Sequence, residues 1–421
     1  MNDSSTLARC PSDMPSFEGA EASSGEGDDR RQAPAESWID ADLAELVEFR
    51  RDLHRHPELL YELPRTSARV REALAAAGVD ELVTGIGRTG VVGVVRGRLD
   101  TRGAMIGLRA DMDALPIVEE SGAQWSSTVP GLMHGCGHDG HTAMLIGAAR
   151  ELARSRDFDG SVALIFQPAE EGGAGAQAMI DDGLFERFPM QEVYGLHNRP
   201  GIPIGHFAIR PGPMLAAADE IRIEVIGKGG HAARPQETID PIAVSAALVQ
   251  SIQTIVSRSV DPLDAAVVSI TSIHGGDTFN VIPGKVILLG TARTLTERAR
   301  DRIEQRLGEI VTGVAETHGA TIRLDYARRY PVTVNHERET DHAVAAASAL
   351  AGAANVDTTI RPSLGGEDFA FLLEHCPGAM IFAGNGDSAG LHHPAYDFAD
   401  ASIPWGCAYW TTLVRQRLPI G

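Results

Sequence analysis

Cysteine is scarce in this chain of 421 residues, and the four present are Cys10, Cys136, Cys376 and Cys407. They are too few and too scattered for a disulfide framework. No uninterrupted apolar run approaches the roughly 18 residues that a membrane-spanning helix needs. The first residues also lack the basic and then apolar pattern of a secretion signal. These absences predict a cytoplasmic protein without a membrane partner.

Basic residues are few as well: 37 lysines and arginines stand against 57 acidic residues, which gives a formal net charge of −20. Such an acidic balance argues against a nucleic-acid partner. Aromatic residues make up only 5% of the chain, which neither supports nor excludes an aromatic pocket. Hydrophobic residues make up 43%, enough for a sizeable core, and the length predicts about two to three domains.

Most of the chain alternates between helical and strand-like patterns. Residues 1–36 are the exception, because they are rich in Ser, Gly, Pro and acidic residues without periodicity, as is typical of a disordered tail. Beyond the tail, apolar runs such as Gly90–Arg96 and Ser161–Gln167 alternate with amphipathic helical segments. This alternation predicts an α/β fold with a central mixed sheet flanked by helices, built from residues 37–216 and 332–421.

Residues 217–331 break this rhythm. Their pattern predicts, in order, a strand at Ile221–Ile226, a helix at Pro241–Arg258, strands at Ala265–Ile273 and Lys285–Thr294, a helix at Glu297–His318 and a strand at Thr321–Ala327. The order β-α-β-β-α-β is the ferredoxin-like signature. Because the α/β alternation resumes afterwards, we interpret this segment as a domain inserted into the larger one.

A dense group of potential metal ligands precedes a helix predicted to start near Thr142. The nine residues from Met133 to His141 contain His134, Cys136, His138, Asp139 and His141. Intervening glycines allow the backbone to fold tightly enough for Cys136 and His138 to converge on one ion. The alternative is a polar helix entrance with a buried thiol.

Two adjacent carboxylates, Glu170 and Glu171, follow the strand-like run Ser161–Gln167. Neighbouring residues in extended backbone point to opposite faces, so one carboxylate could bind a metal while the other moves a proton. This pairing indicates hydrolysis by metal-activated water. A solvated acidic turn is the alternative reading.

Other polar residues close strands or sit in glycine-rich turns. Asp111 and Asp113 share one side of a strand end, where they could either orient metal ligands or cap a loop. His197 and the pair His392-His393 could complete a mixed site, although isolated histidines are more often structural.

Three residues of the 217–331 segment suit contacts with a substrate. His231 lies in a glycine-rich turn directly after a strand, where it could reach a site elsewhere. Asn280 and Arg293 could offer an amide and a guanidinium to a substrate carboxylate. Taken alone, Arg293 could equally be a surface arginine on a strand.

Eight segments matter more in combination than singly. In chain order they are RADMDALPI, MHGCGHDGHTAMLIGAA, IFQPAEEGGAGA, GLHNRPG, GKGGHAARP, NVIPG, GGEDFAF and GLHHPAYDF. Together they resemble the metal-dependent amidohydrolase branch of the dinuclear metallopeptidases, which includes hippurate hydrolases, N-acyl-amino-acid hydrolases and auxin-conjugate hydrolases. The resemblance runs from Trp38 to the C-terminus. It implies an α/β catalytic domain with a dinuclear metal centre and an inserted lid domain that commonly forms a dimer interface.

The resemblance also implies a role for each matching residue. The metal ligands would be Cys136, His138, Glu171, His197 and His392. Glu170 matches the general base and Asp113 a supporting acid, while His231 matches a lid histidine that stabilises the oxyanion in the neighbouring subunit. Asn280 and Arg293 match lid positions that contact the carboxylate end of the substrate. We expect His392 as the ligand because relatives often carry a small polar residue at the position of His393.

The implied cofactors are two divalent metal ions per subunit, with manganese expected and zinc, cobalt or nickel as alternatives. The implied substrate is a small N-acyl or N-aroyl amino acid with a free carboxylate. Hydrolytic deamination of an activated aromatic amine, dipeptide hydrolysis and a non-catalytic metal-dependent binding protein remain as alternatives. Because His231 would act in trans, the expected assembly is a homodimer or a higher homo-oligomer formed through the lid domain.

Overall fold

A computed structural model describes residues 37–421. Its α-helices are α1 (Ser37–Arg55), α2 (Pro64–Ala77), α3 (His138–Ser155), α4 (Gly175–Asp181), α5 (Leu184–Arg187), α6 (Pro241–Ile252), α7 (Thr254–Ser259), α8 (Glu297–His318), α9 (Glu337–Ala351), α10 (Phe369–His375) and α11 (Ile403–Arg417). Its strands are β1 (Glu81–Ile86), β2 (Gly90–Arg96), β3 (Met105–Asp111), β4 (Ser161–Gln167), β5 (Glu192–Arg199), β6 (Phe207–Ala208), β7 (Gly212–Leu215), β8 (Ala217–Ile226), β9 (Gly230–His231), β10 (Ala266–His274), β11 (Val281–Ile282), β12 (Lys285–Thr294), β13 (Thr321–Tyr330), β14 (Thr333–Asn335), β15 (Val356–Asp357) and β16 (Gly378–Gly384). The tail predicted at residues 1–36 lies outside the described residues.

The larger sheet has eight strands in the order β1-β2-β4-β3-β5-β16-β6-β15. Its centre, β4-β3-β5-β16, is parallel, whereas β1, β2 and β6 join through antiparallel pairs. The predicted mixed sheet is therefore confirmed. Because the four central strands run in one direction, their carboxyl ends meet at one edge, which is where α/β sheets bind ligands.

Helices cover both faces of this sheet. Strand β4 illustrates the consequence, because its sequence is almost entirely apolar. Val162, Leu164 and Phe166 contribute to the core shared with α1, α3 and α11, while Ala163 and Ile165 contribute to the core shared with α4 and α10. A strand buried on both faces has no side on which polar residues are favoured. Among the helices of residues 37–421, none is long and apolar enough to cross a bilayer.

Helix α3 begins earlier than the sequence predicts, at His138 rather than near Thr142. The preceding residue, Gly137, has a left-handed φ of 88°, and a Cβ there would lie 2.4 Å from the Asn198 side chain. Only glycine meets both conditions without strain. The helix start therefore places His138 and His141, three residues apart, on one buried face.

The 217–331 segment contains a second, antiparallel sheet in the order β10-β12-β8-β13. The main elements follow as β8, α6, β10, β12, α8 and β13, the predicted β-α-β-β-α-β order. One predicted helix, Pro241–Arg258, is wrong as a single element because it breaks at Gln253 into α6 and α7. All described residues belong to one compact unit, so the domain boundaries at 216/217 and 331/332 stay predictions.

Candidate metal centre and active site

A cavity of about 520 Å³ lies between the carboxyl edge of the larger sheet and the smaller sheet. The larger sheet and its loops contribute Cys136, Glu170, Glu171, His197 and His392 to its wall. The smaller sheet contributes Ala218, Thr291 and Arg293. The volume falls in the usual range for small-molecule sites.

The five predicted metal ligands come together at this cavity. Cys136 Sγ lies 3.4 Å from His197 Nε2, and Glu171 Oε1 lies 3.2 Å from His392 Nε2. His138 Nε2 is 3.9 Å from the same Glu171 oxygen. The possible ligand atoms of Cys136, Glu171 and His392 all lie within 4.8 Å of one another. Residues separated by more than 250 positions thus present thiol, imidazole and carboxylate groups to one small volume.

Backbone hydrogen bonds orient two of the histidines for metal binding. His138 Nδ1 donates to the Asp113 carbonyl at 2.8 Å, and His197 Nδ1 donates to the Asn198 carbonyl at 2.7 Å. With Nδ1 engaged in this way, Nε2 is the nitrogen that each ring can present to a metal when the imidazole is neutral. His138 Nε2 and Glu171 Oε1 are buried and make no hydrogen bond within the described residues. Buried polar atoms without partners are costly, so these two atoms fit a bound cation.

The thiol of Cys136 also fits a cation. Burial and the carboxylates of Glu171 and Glu170 raise its pKa well above the usual range. A coordinated metal reverses this effect, because it deprotonates a ligating thiol outright. The residues present therefore suit divalent ions that accept mixed sulfur, nitrogen and oxygen ligands.

His141 and Asp111 lie in the same neighbourhood but are already engaged. His141 Nδ1 lies 2.6 Å from Asp111 Oδ1, and His141 Nε2 accepts the Asn198 backbone N–H at 2.9 Å. The second Asp111 oxygen accepts Arg109 at 2.7 Å. Hydrogen bonds thus use both His141 nitrogens and both Asp111 oxygens, and these residues support the site from behind.

Glu170 and Glu171 lie in a turn, so the expectation of extended backbone with opposite faces is wrong. Strand β4 ends at Gln167, and Ala169 adopts a left-handed φ of 56°. Asp113 holds the turn, since its two carboxylate oxygens accept the backbone N–H groups of Glu170 at 3.0 Å and Glu171 at 3.1 Å. The turn directs both glutamates toward His138.

The surroundings of Glu170 favour its protonated form. Its side chain is buried, and burial together with the carboxylates of Glu367, Glu171 and Asp368 raises its pKa well above the usual value. A buried carboxyl group of this kind can both accept and return a proton. Bound cations would oppose the shift.

Behind Glu170 lies a buried charge network that the sequence reasoning missed. The fully buried Arg109 guanidinium donates to Asp111 at 2.7 Å, Glu367 at 2.9 Å and Asp368 at 3.0 Å. Burial raises the pKa of Glu367 to about 7 and that of Asp368 to about 6. The sequence does contain an arginine within an apolar strand and an acidic pair in the GGEDF segment. Neither feature indicates that these residues pair with each other.

Tyr330, at the end of β13, joins the smaller sheet to the turn that carries both glutamates. Its hydroxyl donates to the Glu170 carbonyl at 2.5 Å and accepts the N–H groups of Gly172 at 2.8 Å and Ala174 at 3.2 Å. Sequence reasoning missed this contact as well, since a strand tyrosine carries no sign of a partner 160 residues away.

The remaining predicted residues divide into two groups. Arg293 lines the cavity, whereas His231 and Asn280 are exposed at the small two-stranded sheet formed by β9 and β11 and do not line it within this subunit. Of the histidine pair, His392 faces Glu171, while His393 is exposed and accepts the Ala395 N–H at 3.0 Å.

Comparison with known proteins finds similarity along most of the chain. Residues 107–416 match the model of peptidase family M20/M25/M40. A hippurate hydrolase from Campylobacter jejuni is 39% identical over 89% of this chain and 97% of its own length. An N-acetyl-L-cysteine deacetylase from Bacillus subtilis is 39% identical over 85% of each chain. The crystal structure of a Bacillus subtilis dinuclear metal-binding peptidase of the M20 family superimposes with a TM-score of 0.78 at 33% identity, covering 90% of this chain and 99% of that one.

We expect Cys136→Ser to lower the amount of divalent metal that the protein retains after dialysis, because the hydroxyl of serine is a poorer ligand than a thiolate. Elemental analysis by mass spectrometry measures the metal per subunit. Cys376→Ser is the matched control, since Cys376 is also buried but lies in a different core. Equal metal content in the two variants would contradict a ligand role for Cys136.

Proposed function

Because this chain belongs to peptidase family M20/M25/M40, we propose that it is a metal-dependent amidohydrolase that cleaves the amide bond of N-acyl or N-aroyl amino acids. One observation carries this proposal beyond family membership. A buried carboxyl group with a raised pKa, Glu170, lies beside converging thiol, imidazole and carboxylate groups in a cavity that also contains an arginine. That combination suits cleavage of the amide bond in a substrate that bears a free carboxylate.

The residues that would hold two divalent cations are Cys136, His138, Glu171, His197 and His392. Their approach to one another supports this assignment, as does the orientation of His138 and His197, whose Nδ1 atoms are held by backbone carbonyls. When bound, the cations supply Lewis-acid activation of water and of the amide carbonyl. Manganese is the expected metal, with zinc, cobalt or nickel as alternatives, because this mixed ligand set does not select among them.

Glu170 would act as general base and then as general acid. Its carboxylate takes a proton from the attacking water and passes that proton to the leaving nitrogen, so the carboxylate is regenerated at the end of each cycle. Asp113 acts through position, because its carboxylate holds the backbone of the glutamate turn. This is a supporting role for Asp113 and not a direct proton transfer.

Arg293 would bind the carboxylate of the amino-acid half of the substrate, since its guanidinium faces the cavity from β12. His231 and Asn280 do not line the cavity of their own subunit, so they would act from the exposed two-stranded sheet, β9 and β11, of a partner subunit. In that arrangement His231 stabilises the developing oxyanion, a contribution of about 3 to 4 kcal/mol for one well-placed donor. The proposed assembly is therefore at least a homodimer.

Glu170→Gln should retain its metal but lose at least about a hundredfold in kcat, because the amide cannot accept the proton of the attacking water. The assay reloads demetallated protein with Mn, Zn, Co or Ni and measures free amino acid released from hippurate and N-acetyl amino acids. Glu171→Gln is the control and should lose metal as well as activity. A metal-loaded Glu170→Gln protein with full activity would remove the base from this proposal.

Tyr330→Phe should reduce kcat by about tenfold with a smaller change in KM, because loss of the hydroxyl leaves the backbone that carries Glu170 without three hydrogen bonds. Tyr326→Phe removes a comparable bond, to Asp219, that stays within the smaller sheet. Steady-state kinetics and thermal melting of both variants separate the two effects. Similar kcat losses at similar melting temperatures would show that the Tyr330 contact has no special role.

Subunit mixing tests whether His231 acts in a partner's site. Random re-association of His231→Ala and Glu170→Gln subunits should restore about a quarter of the wild-type activity, since half of the dimers are mixed and each contains one intact site. Recovery is measured after co-refolding or slow exchange. No recovery despite demonstrated exchange would place both residues in the same subunit's site.

A further inference from the structure

Arg199 is a cavity residue to which neither the metal centre nor the proton transfer gives a role. It ends β5 two residues after His197, so the two side chains leave the strand on the same face. Both line the cavity, together with Phe382 of the neighbouring strand β16, which pairs directly with His197. Arg199 thus stands at the wall of the metal centre.

The Arg199 guanidinium has an aromatic neighbour but no anionic one. Its central carbon lies 5.2 Å from the centroid of the Phe382 ring. Within residues 37–421, no carboxylate oxygen approaches its nitrogens within 4.0 Å, and its side chain makes no hydrogen bond. The guanidinium therefore lies against an aromatic ring, and this contact leaves its N–H groups available.

Another arginine of the cavity already has a carboxylate partner. Arg329 pairs with Glu220, which also lines the cavity, at 2.9 Å. Arg293 has no carboxylate partner among the described residues, but the proposed function assigns it to the substrate carboxylate. Of the arginines on this wall, Arg199 is therefore left with a free charge and no assigned ligand.

We infer that Arg199 binds a second carboxylate on the substrate, so that the preferred substrates are N-acyl amino acids with two negative charges. This inference rests on the proposed function and narrows it. A planar guanidinium binds a carboxylate through two parallel hydrogen bonds, and a half-buried site strengthens them. The second carboxylate belongs either to a dicarboxylic acyl group or to an acidic amino-acid side chain, and the chemistry that Arg199 recognises is the same in both cases.

The experiment compares pairs of substrates that differ only in this charge. N-succinyl-leucine is compared with the analogue in which the free carboxyl of the succinyl group is an amide. N-acetyl-glutamate is compared with N-acetyl-glutamine, and the ionic strength is kept constant. For one of the pairs, the wild-type protein should favour the dianion by at least about tenfold in kcat/KM, as expected for a hydrogen-bonded charge pair. The pair that shows the preference identifies which half of the substrate carries the second carboxylate.

Arg199→Gln should reduce this preference to about threefold or less, mainly through a higher KM for the dianion. Arg329→Gln is the matched control, because it removes the same charge from the same cavity but from an arginine that already has a partner. It should keep most of the preference. The inference is overturned if the wild-type protein favours neither dianion, or if the two variants lose the preference equally. Failure of the proposed function is distinct, because then none of the four substrates is hydrolysed.

Discussion

The whole site depends on one buried cation, the guanidinium of Arg109. It links the end of β3, through Asp111, to the loop that carries Glu367 and Asp368. Asp111 in turn contacts His141, which accepts a backbone N–H from the residue after His197. Removing one member of such a buried network costs about 3 to 5 kcal/mol, because a charge is then left buried without a partner. The candidate metal centre is therefore positioned by an arrangement of charges that is almost entirely buried.

The same network explains how so many carboxylates can gather around Glu170. Glu367, Asp368, Glu171 and Asp113 all raise its pKa, and burial adds to their effect. Arg109 offsets part of this negative charge from inside, and the cavity side is where divalent cations would offset the rest. Under the proposed function, a base flanked only by acids would stay protonated, whereas a base placed between a buried arginine and divalent cations could exchange its proton.

Local patterns in the sequence predicted most elements and the fold class. Strands β2, β4 and β12 and helix α8 begin and end where the apolar periodicity and the flanking residues place them. The errors occur where tertiary contacts override local preference. Helix α3 starts at His138 because contacts to Asp111, Asp113 and Asn198 stabilise a first turn of poor helix formers. The glutamate turn depends on the left-handed conformation of Ala169, which no periodicity signals.

The candidate site divides in the same way. Some site residues stand out because metal-ligating and acidic residue types rarely cluster in a sequence unless they share a function. These residues are Cys136, His138, Glu170 and Glu171. Arg109, Tyr330 and Arg199 were not recognised, because each is an ordinary residue for a strand and its meaning comes only from partners remote in the chain. The site residues that the sequence does not reveal are thus those whose partners lie far away along the chain.

Arg293 and Tyr330 both lie directly opposite Ala218, one on each neighbouring strand, so the three form a single row across β12, β8 and β13. The row is about 10 Å wide, twice the spacing of adjacent strands. At one end the row presents the Arg293 side chain to the cavity, and at the other the Tyr330 hydroxyl holds the backbone of Glu170. Under the proposed function, a substrate carboxylate bound to Arg293 would therefore contact the same row of residues that positions the Glu170 carboxyl group. A substrate that lacks this carboxylate would then be expected to lose kcat as well as affinity. Binding energy from groups remote from the scissile bond helps to orient the reacting groups.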